Sequence, residues 1–472
     1  MASSIQVVAS LAAVIACWVD APPVRCAPFA AAESSKVDQL VSTTLAGSGV
    51  PSASVAIVQD GRIVYAKAYG ARSVEPRQPA TVTTRYRIAS VSKQFTATAV
   101  LMLADEGKIS LDDPLAKYLP ELGEGDGVTV RQALSHTAGY PEFWTLDYVT
   151  PEKKRATTPE AILQRWGKDK LDFEPGSRWS YSNTGYVILG RLVEKVSGQP
   201  LGAYLNTHIF APLQMTSAQD VDGKSRGAAD AMGYSRYALG PPREAAPPAA
   251  GWTFSCGELA MTATDLAKWD ISMINRTLMS STAYSAQFAE AKLTDGAGVG
   301  YGAGLFVDKA QGHRRVRHNG DLPGFWTENR VYPDDRLAIV VMINGNYGGA
   351  PHVAIADGIE RLLLPAEKSS TPSPAPGSVV RKIYAQIRTG SLDRRMLTAD
   401  ASDYLSGTVL TDYQRSFARL GEPLILASMV SESSGGSTVN SWLGVWPSGK
   451  LVMVLRTRAD GAIEEFMASP VN

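Results

Sequence analysis

The chain has 472 residues, of which 44% are hydrophobic and 19% charged. That is long for one domain and has the mix of a soluble globular protein with a large core. Lysine plus arginine and aspartate plus glutamate both number 46, so the formal charge is zero. This balance excludes a broad basic surface for nucleic acid or anionic lipid.

Residues 5–19, IQVVASLAAVIACWV, form an apolar run of signal-peptide length, short for a membrane span. Ala30-Ala31-Ala32 before Glu33 offers an A-x-A cleavage site. No Lys or Arg precedes the run, and VIAC (14–17) also resembles a lipoprotein box on Cys17. The expectation is a signal peptide over 1–32, and a secreted or periplasmic protein with no stable membrane span once it is removed. Of the three cysteines, Cys17 and Cys26 leave with the leader. Cys256 then has no internal partner and reads as a small buried side chain rather than a nucleophile.

A helix is expected around 36–46, followed by strands ASVAIVQDG and RIVYAKAYG, joined at Asp60-Gly61, a hairpin signal. The middle of the chain reads as helices and loops, with a proline-rich loop at 240–251. Strand-like runs return at 301–309, 313–321, 328–335 and 337–345, before a helix at 352–364. Strands at both ends with helices between predict an α+β body: one antiparallel sheet built from the two ends, with a helical region inserted. PAEKSSTPSPAPGS marks a linker over 365–378. It separates a body of 33–364 from a C-terminal module of 379–472. The module starts helical, ends in four alternating runs and shows no catalytic constellation; it reads as a small α+β unit.

Three short patterns carry chemistry. In IASVSKQFTATAVLMLADEGK (88–108), Ser90 and Lys93 lie three residues apart at the start of a buried helix, one turn apart on one face. A serine needs an adjacent base to attack an acyl carbon, and a desolvated lysine can be one. Alone, the pair reads equally as a helix cap and a solvated charge; Ser92 is a second capping hydroxyl without the spacing. RWSYSNTGYVILG places Tyr181 and Asn183 before another apolar helix, where Asn183 could simply cap. RHNGDLPGF places His318, Asn319 and Gly320 at a strand end. The steps from Ser90 to Tyr181 and from Tyr181 to His318 are 91 and 137 residues. Together, in that order, the three weak patterns are specific.

On these motifs the chain resembles the class C β-lactamase and D-alanyl-D-alanine carboxypeptidase superfamily of serine acyl hydrolases, which includes D-aminopeptidases and lactamase-like esterases. DEGKISLDDPLAKYLPEL, ALSHTAGY, CGELAMTATDLAKW and YGAGLFV also match, over about 36–364. The C-terminal module has only a faint similarity to small cone-shaped ancillary domains. The resemblance implies a β-lactamase/transpeptidase-like fold and a set of roles. Ser90 would attack and form an acyl-enzyme, and Lys93 would take its proton. Tyr181 would relay protons to the leaving group and, if Lys93 lowers its pKa, would activate the deacylating water. Asn183 would orient Lys93 and bind the acyl-side amide. Backbone N–H groups of Ser90 and Asp321 would form the oxyanion hole, and Gly320 would let substrate lie along the strand.

The third motif departs from the Lys-Thr-Gly of true class C β-lactamases, since His318 is not a permanent cation at neutral pH. Arg314, Arg315 and Arg317 read in two ways: one of them replaces the missing charge as a carboxylate clamp, or all three are a solvated strand edge. His136 reads as structural. GAGVGYGAG lacks the dinucleotide spacing, and there is no G-x-S-x-G elbow. The expected activity is hydrolysis of short acyl esters or D-amino-acid peptide bonds, with no metal or organic cofactor. A cell-wall D-alanyl-D-alanine carboxypeptidase, a weak β-lactamase and a catalytically silent binding protein are the alternatives. The sequence leaves the oligomeric state open.

Overall fold

A computed structural model describes residues 29–146, 148–364, 378–434, 437–458 and 460–471. Most of the expected leader and the Pro/Ser segment 365–377 lie outside these residues. Ala31 and Ala32, assigned above to the leader, are the first residues of helix α1 (Ala31–Ser48).

Seven antiparallel strands make the main sheet of the body. They are β1 (Ser52–Gln59), β2 (Arg62–Ser73), the short β3 (Gln78–Pro79), β4 (Phe306–Ala310), β5 (His313–Leu322), β6 (Phe325–Tyr332) and β7 (Leu337–Ile343). Their order is β3-β2-β1-β7-β6-β5-β4, so β1 from the start of the body pairs with β7 from its end. Ile57 lies opposite Ile339, and Val55 opposite Val341. The expected two-ended sheet is therefore present. β1 turns into β2 at Asp60-Gly61, both with positive φ (50° and 75°), which suits a tight two-residue turn.

β1 and β7 are buried on both faces, and the period of two splits their residues between two cores. Val55, Ile57, Ile339 and Val341 face α1 and α5 (Pro351–Leu363), meeting Val37, Val41, Ile355 and Ile359. Ala56, Val58, Val340 and Met342 face the inserted helices α2 (Lys93–Asp105), α3 (Asn183–Ser197) and α4 (Ala263–Asn275). A buried polar relay ties this second layer to the sheet. Trp269 Nε1 donates to Gln94 Oε1 at 2.8 Å, Gln94 Nε2 to Asn329 Oδ1 at 2.9 Å, and Asn329 Nδ2 to both Asp270 oxygens at 2.8 and 2.9 Å.

β6 begins at Phe325, three residues before the run expected at 328. Pro323-Gly324 is the turn of a β5–β6 hairpin in which Leu322 pairs with Phe325. Pro and Gly obscure the strand in sequence because they are turn residues here, not loop filler.

The C-terminal module packs α6 (Ser378–Thr389) and α7 (Gly407–Leu420) on a four-stranded antiparallel sheet. Its strands are β8 (Ile425–Ser434), β9 (Ser437–Trp446), β10 (Gly449–Arg458) and β11 (Ile463–Val471), paired in chain order. Its core includes Tyr384, Tyr413, Phe417, Trp442, Trp446 and Phe466. Ala238, from the body, is buried in the same core, with Tyr237 and Leu239 against it. Ala238 N donates to Ala468 O at 3.2 Å and Leu239 N to Ser416 Oγ at 2.9 Å. Arg243 pairs with Asp412 at 3.0 Å, and the Tyr148 and Tyr404 rings stack at 4.1 Å. The module is thus docked on the body. Among the described residues, no helix is long and apolar enough to cross a membrane.

Asn329→Ala would strip the relay of its centre and leave Asp270 and Gln94 buried without it. Unpartnered buried polar groups cost roughly 1–3 kcal/mol each, more when charged. Urea unfolding should show a loss of about 2–4 kcal/mol. A change within ~0.5 kcal/mol, the usual range for a surface substitution, would mean the relay does not tie the layers together.

Candidate active site

The segment before α2 is a 3-10 turn, Ala89–Ser92, not the first turn of a regular helix. Ala89 sits at φ 49°, a left-handed conformation that a side-chain-bearing residue holds only when its surroundings enforce it. The enforcement comes from β5. A Cβ on Gly320 would lie 2.1 Å from Ile88 O and 3.1 Å from Ala89 Cβ, so only glycine lets the strand lie against this turn. The close approach sets Asp321 beside Ser90, and both line one recess.

Lys93 is fully buried. Its Nζ contacts Asn183 Oδ1 at 2.7 Å, Cys256 O at 2.8 Å and Ser90 Oγ at 3.2 Å. It also lies 4.9 Å from the Tyr181 ring centre. Burial lowers its pKa, opposed by the charges of Glu142 and Glu258 among others. Asn183 is the first residue of α3, behind the capping Ser182, whose hydroxyl accepts from Gly185 N. The Asn183 amide is fixed from the other side. Its Nδ2 donates to Glu142 Oε1 at 3.1 Å, and Glu142 also accepts from the Asn183 and Trp144 backbone amides. Burial raises the Glu142 pKa against those hydrogen bonds and against Lys93.

Tyr181 departs from expectation. Burial pushes its phenol well above 10, opposed by a hydrogen bond with Ser90. The phenol is therefore neutral at rest, not a phenolate stabilised by Lys93. The His136 ring lies against it, tilted by 36° with ring centres 4.3 Å apart, and its Nδ1 accepts from Ser182 N at 3.1 Å, which holds the Tyr181 segment in place. That is the structural part expected of His136. His318 is neutral too: burial, Lys93 and Arg317 depress it to about 3. Its Nδ1 donates to Asn319 O at 2.7 Å, which leaves Nε2 to accept from Tyr301 Oη at 3.0 Å. Both nitrogens are committed, so its ring lines the site without offering a donor.

The flanking arginines do not reach the site. Arg315 pairs with Asp308 (2.8 Å) and Glu360 (3.1 Å), Arg317 with Asp308 (2.9 Å), and Arg314 lies 3.9 Å from Asp334. Ser92 accepts from Leu259 N at 3.2 Å, deep in the core. Burial pushes the Cys256 thiol up to about 12, so its sulfur is unreactive; its carbonyl matters instead.

Ser90 stands between two spaces. A recess of about 40 Å³ is lined by Trp144, Asn183, Thr253 and Gly257. A cavity of about 420 Å³ is lined by Tyr181, Trp179, Phe306, His318 and, from the module, Val439 and Arg456. The module, which shows no catalytic constellation in sequence, thus contributes to the wall of this cavity. A cavity of about 470 Å³ beyond Leu322 and Pro323, edged by Arg85 and Arg87, contains none of the motif residues. Among the described residues, no cluster of His, Cys, Asp or Glu is arranged to hold a metal ion.

Sequence reasoning missed Glu142, Tyr301 and Arg456. Glu142 follows the matched stretch ALSHTAGY as a lone acid among aromatics, and Tyr301 opens the matched YGAGLFV; both had a signal. Arg456 had none.

An antiparallel sheet with inserted helices, and a buried lysine beside a serine at a helix start, define a serine-hydrolase-type fold and site. The family profile described as Beta-lactamase matches residues 37–363, and the chain belongs to this family, in the β-lactamase/transpeptidase superfamily of serine hydrolases. Protein flp of Staphylococcus aureus (strain N315) is 27% identical over 319 residues, spanning 66% of this chain and 63% of that protein. The octameric penicillin-binding protein homologue from Pyrococcus abyssi superposes with a TM-score of 0.63 at 24% identity, over 92% of this chain and 99% of its own. The D-stereospecific amidohydrolase from Streptomyces sp. gives 0.60 at 26% identity, over 70% of this chain and 98% of its own.

Three histidines are held neutral by burial: His318 and His352 near 3, and His136 well below 6.5. Unfolded, each takes a proton near ~6.5. Their stabilisation is complete above that pH and falls as acid protonates the unfolded chain. The slope is up to about 1.4 kcal/mol per pH unit per histidine. His352→Gln, away from the cavity, should flatten the stability curve between about pH 4 and 6 by one such step. Equal slopes in the two proteins would contradict the buried neutral state.

Proposed function

We propose that this protein is a serine acyl hydrolase that works through a Ser90 acyl-enzyme on short acyl esters or D-amino-acid peptide bonds. One observation carries the proposal: the set of partners around the Lys93 nitrogen. Asn183 Oδ1 and Cys256 O can only accept hydrogen bonds. A neutral amine gives its two N–H groups to them and has one lone pair left. At 3.2 Å the remaining neighbour is Ser90 Oγ, which has a proton to give. Burial favours that neutral amine.

The steps balance. Ser90 Oγ bonds to the acyl carbon as its proton passes to Lys93. The negative oxygen takes N–H groups from Ser90 and Asp321; losing one such donor typically costs ~10²–10³ in rate. The Tyr181 phenol protonates the leaving group and is reprotonated from Lys93. Water then attacks the ester, giving its proton back along the same path and freeing Ser90. Glu142 positions Asn183 and, through it, Lys93. Asn183 Nδ2 and the 40 Å³ recess suit a small acyl group. With His318 neutral, the site offers no lysine-like cation for a β-lactam carboxylate. The Streptomyces neighbour, described as a D-stereospecific amidohydrolase, supports the D-peptide branch. The apolar run at 5–19 supports export.

The test measures kcat/KM on p-nitrophenyl butyrate and on an acyl-D-Ala-D-Ala peptide. Ser90→Ala should abolish turnover of whichever is used, and Lys93→Met should cost about 10²–10⁴ or more. A serine-directed phosphonate should add its mass to the Ser90 peptide. Turnover that survives Ser90→Ala, or a phosphonate that leaves the chain unmodified, would sink the proposal. Release of free D-alanine would place the activity on cell-wall stems; preference for the ester would place it with the esterases.

A further inference from the structure

We propose that Trp144 is a specificity-determining residue that limits the length of the acyl chain, so that the recess beside Ser90 takes a chain of up to about three carbons beyond the carbonyl, or the methyl side chain of an alanine residue, and refuses longer ones. This deepens the function proposed above and rests on it.

The chemistry assigns the two spaces that meet at Ser90. Tyr181, which hands its proton to the leaving group in the steps above, lines the 420 Å³ cavity and not the recess. The leaving group therefore has the cavity, and the acyl chain has the recess. The recess measures about 40 Å³. Roughly 10–15 Å³ of such space holds one water-sized group, so about three fit. Trp144 lines both spaces, as do Asn183, Asp321 and Leu322, so a longer chain must displace one of these walls.

The walls do not yield. Thr253 is buried; its hydroxyl donates to Asp222 at 3.0 Å, and its carbonyl accepts from Gly257 N at 2.9 Å. Asn183 is held between Lys93 and Glu142. Trp144 is the largest side chain on the recess, and it is wedged. Its backbone N–H donates to Glu142, and the nitrogen of the buried Lys153 lies 5.3 Å from its ring centre. Trp252 lies 5.6 Å from the same nitrogen and is pinned by its Nε1, which donates to Arg155 O at 2.7 Å. A ring backed by a filled layer has nowhere to retreat, because interiors are packed to the density of crystals. Removing that ring is the single change that enlarges the recess most.

The experiment uses the full chain and p-nitrophenyl esters that differ only in the acyl chain, each kcat/KM divided by that ester's rate with hydroxide. One methylene too many in a closed pocket costs about 10-fold or more, so acetate should exceed hexanoate by about 10². Trp144→Ala should bring the ratio to about one or reverse it, and Trp144→Phe should fall between. Each ratio is read on one sample, so a loss of folded protein cancels. With acetyl fixed, phenyl and 2-naphthyl esters should react at similar rates, because the larger ring has the 420 Å³ cavity. A wild-type acetate-to-hexanoate ratio near one, a Trp144→Ala protein that keeps the wild-type ratio, or a naphthyl ester refused as strongly as hexanoate overturns the proposal. If Trp144→Ala does not fold, Trp144→Phe and a pair of phosphonates decide. Methyl and pentyl phosphonate p-nitrophenyl esters read the same limit without turnover, and the methyl form should label the Ser90 peptide faster by the same factor. Equal labelling by both overturns the size limit and leaves the acyl-enzyme standing. Turnover that survives Ser90→Ala overturns the acyl-enzyme, and the limit falls with it.

Discussion

A primary amine sealed from water holds its proton less firmly than one in solvent, because the charged form loses its hydration. The molecule is arranged around one such amine. Lys93 is fully buried, yet its nitrogen faces three oxygens, each delivered by a different part of the chain. The 3-10 turn brings Ser90, the start of α3 brings Asn183, and the segment before the Leu259–Met261 strand brings the Cys256 carbonyl. Shift any of these and the lysine loses either its burial or its lone-pair partner. The same burial sets the neighbours: Tyr181 and His318 are held uncharged beside it.

Such a site needs a rigid frame, since an amine free to move would find water. The frame is a sheet whose middle strands are buried on both faces. Its strain is local: the left-handed Ala89 is held by a strand that only Gly320 lets close enough. The buried relay from Trp269 to Asp270 fixes α2 to the strand beside β5, so the turn bearing Ser90 is braced from below. Glu142 braces Asn183 from outside. This is preorganisation in a literal sense: the dipoles are in place before a substrate arrives.

The C-terminal module forms part of the wall of the cavity beside Ser90. Body side chains around Ser90 offer a neutral histidine, aromatic rings and carboxylates. The module adds a guanidinium and closes one wall. The Pyrococcus abyssi structure extends the likeness in fold over 92% of this chain, module included.

Much of the frame was legible in the sequence, because the residues that specify it are local. Period-two alternation and Asp60-Gly61 marked the first hairpin. S-x-x-K, Y-x-N and H-N-G marked the candidate site. Spacing alone places Ser90 and Lys93 on one face, and their order with Tyr181 and His318 names the superfamily. What spacing could not decide was protonation and reach. Whether Tyr181 is a phenol or a phenolate depends on how much water and charge surround it, which no short motif encodes. Arg317 beside His318 was one of three candidate clamps, and Asp308 on the neighbouring strand claims it. Arg456, 138 residues beyond the last motif, looked like nothing. The sequence by itself determined the sheet, the two modules and which side chains gather in the candidate site, because these follow from local pattern. Only the tertiary structure decided which charges survive in the site, because desolvation and pairing are set by groups far apart in the chain.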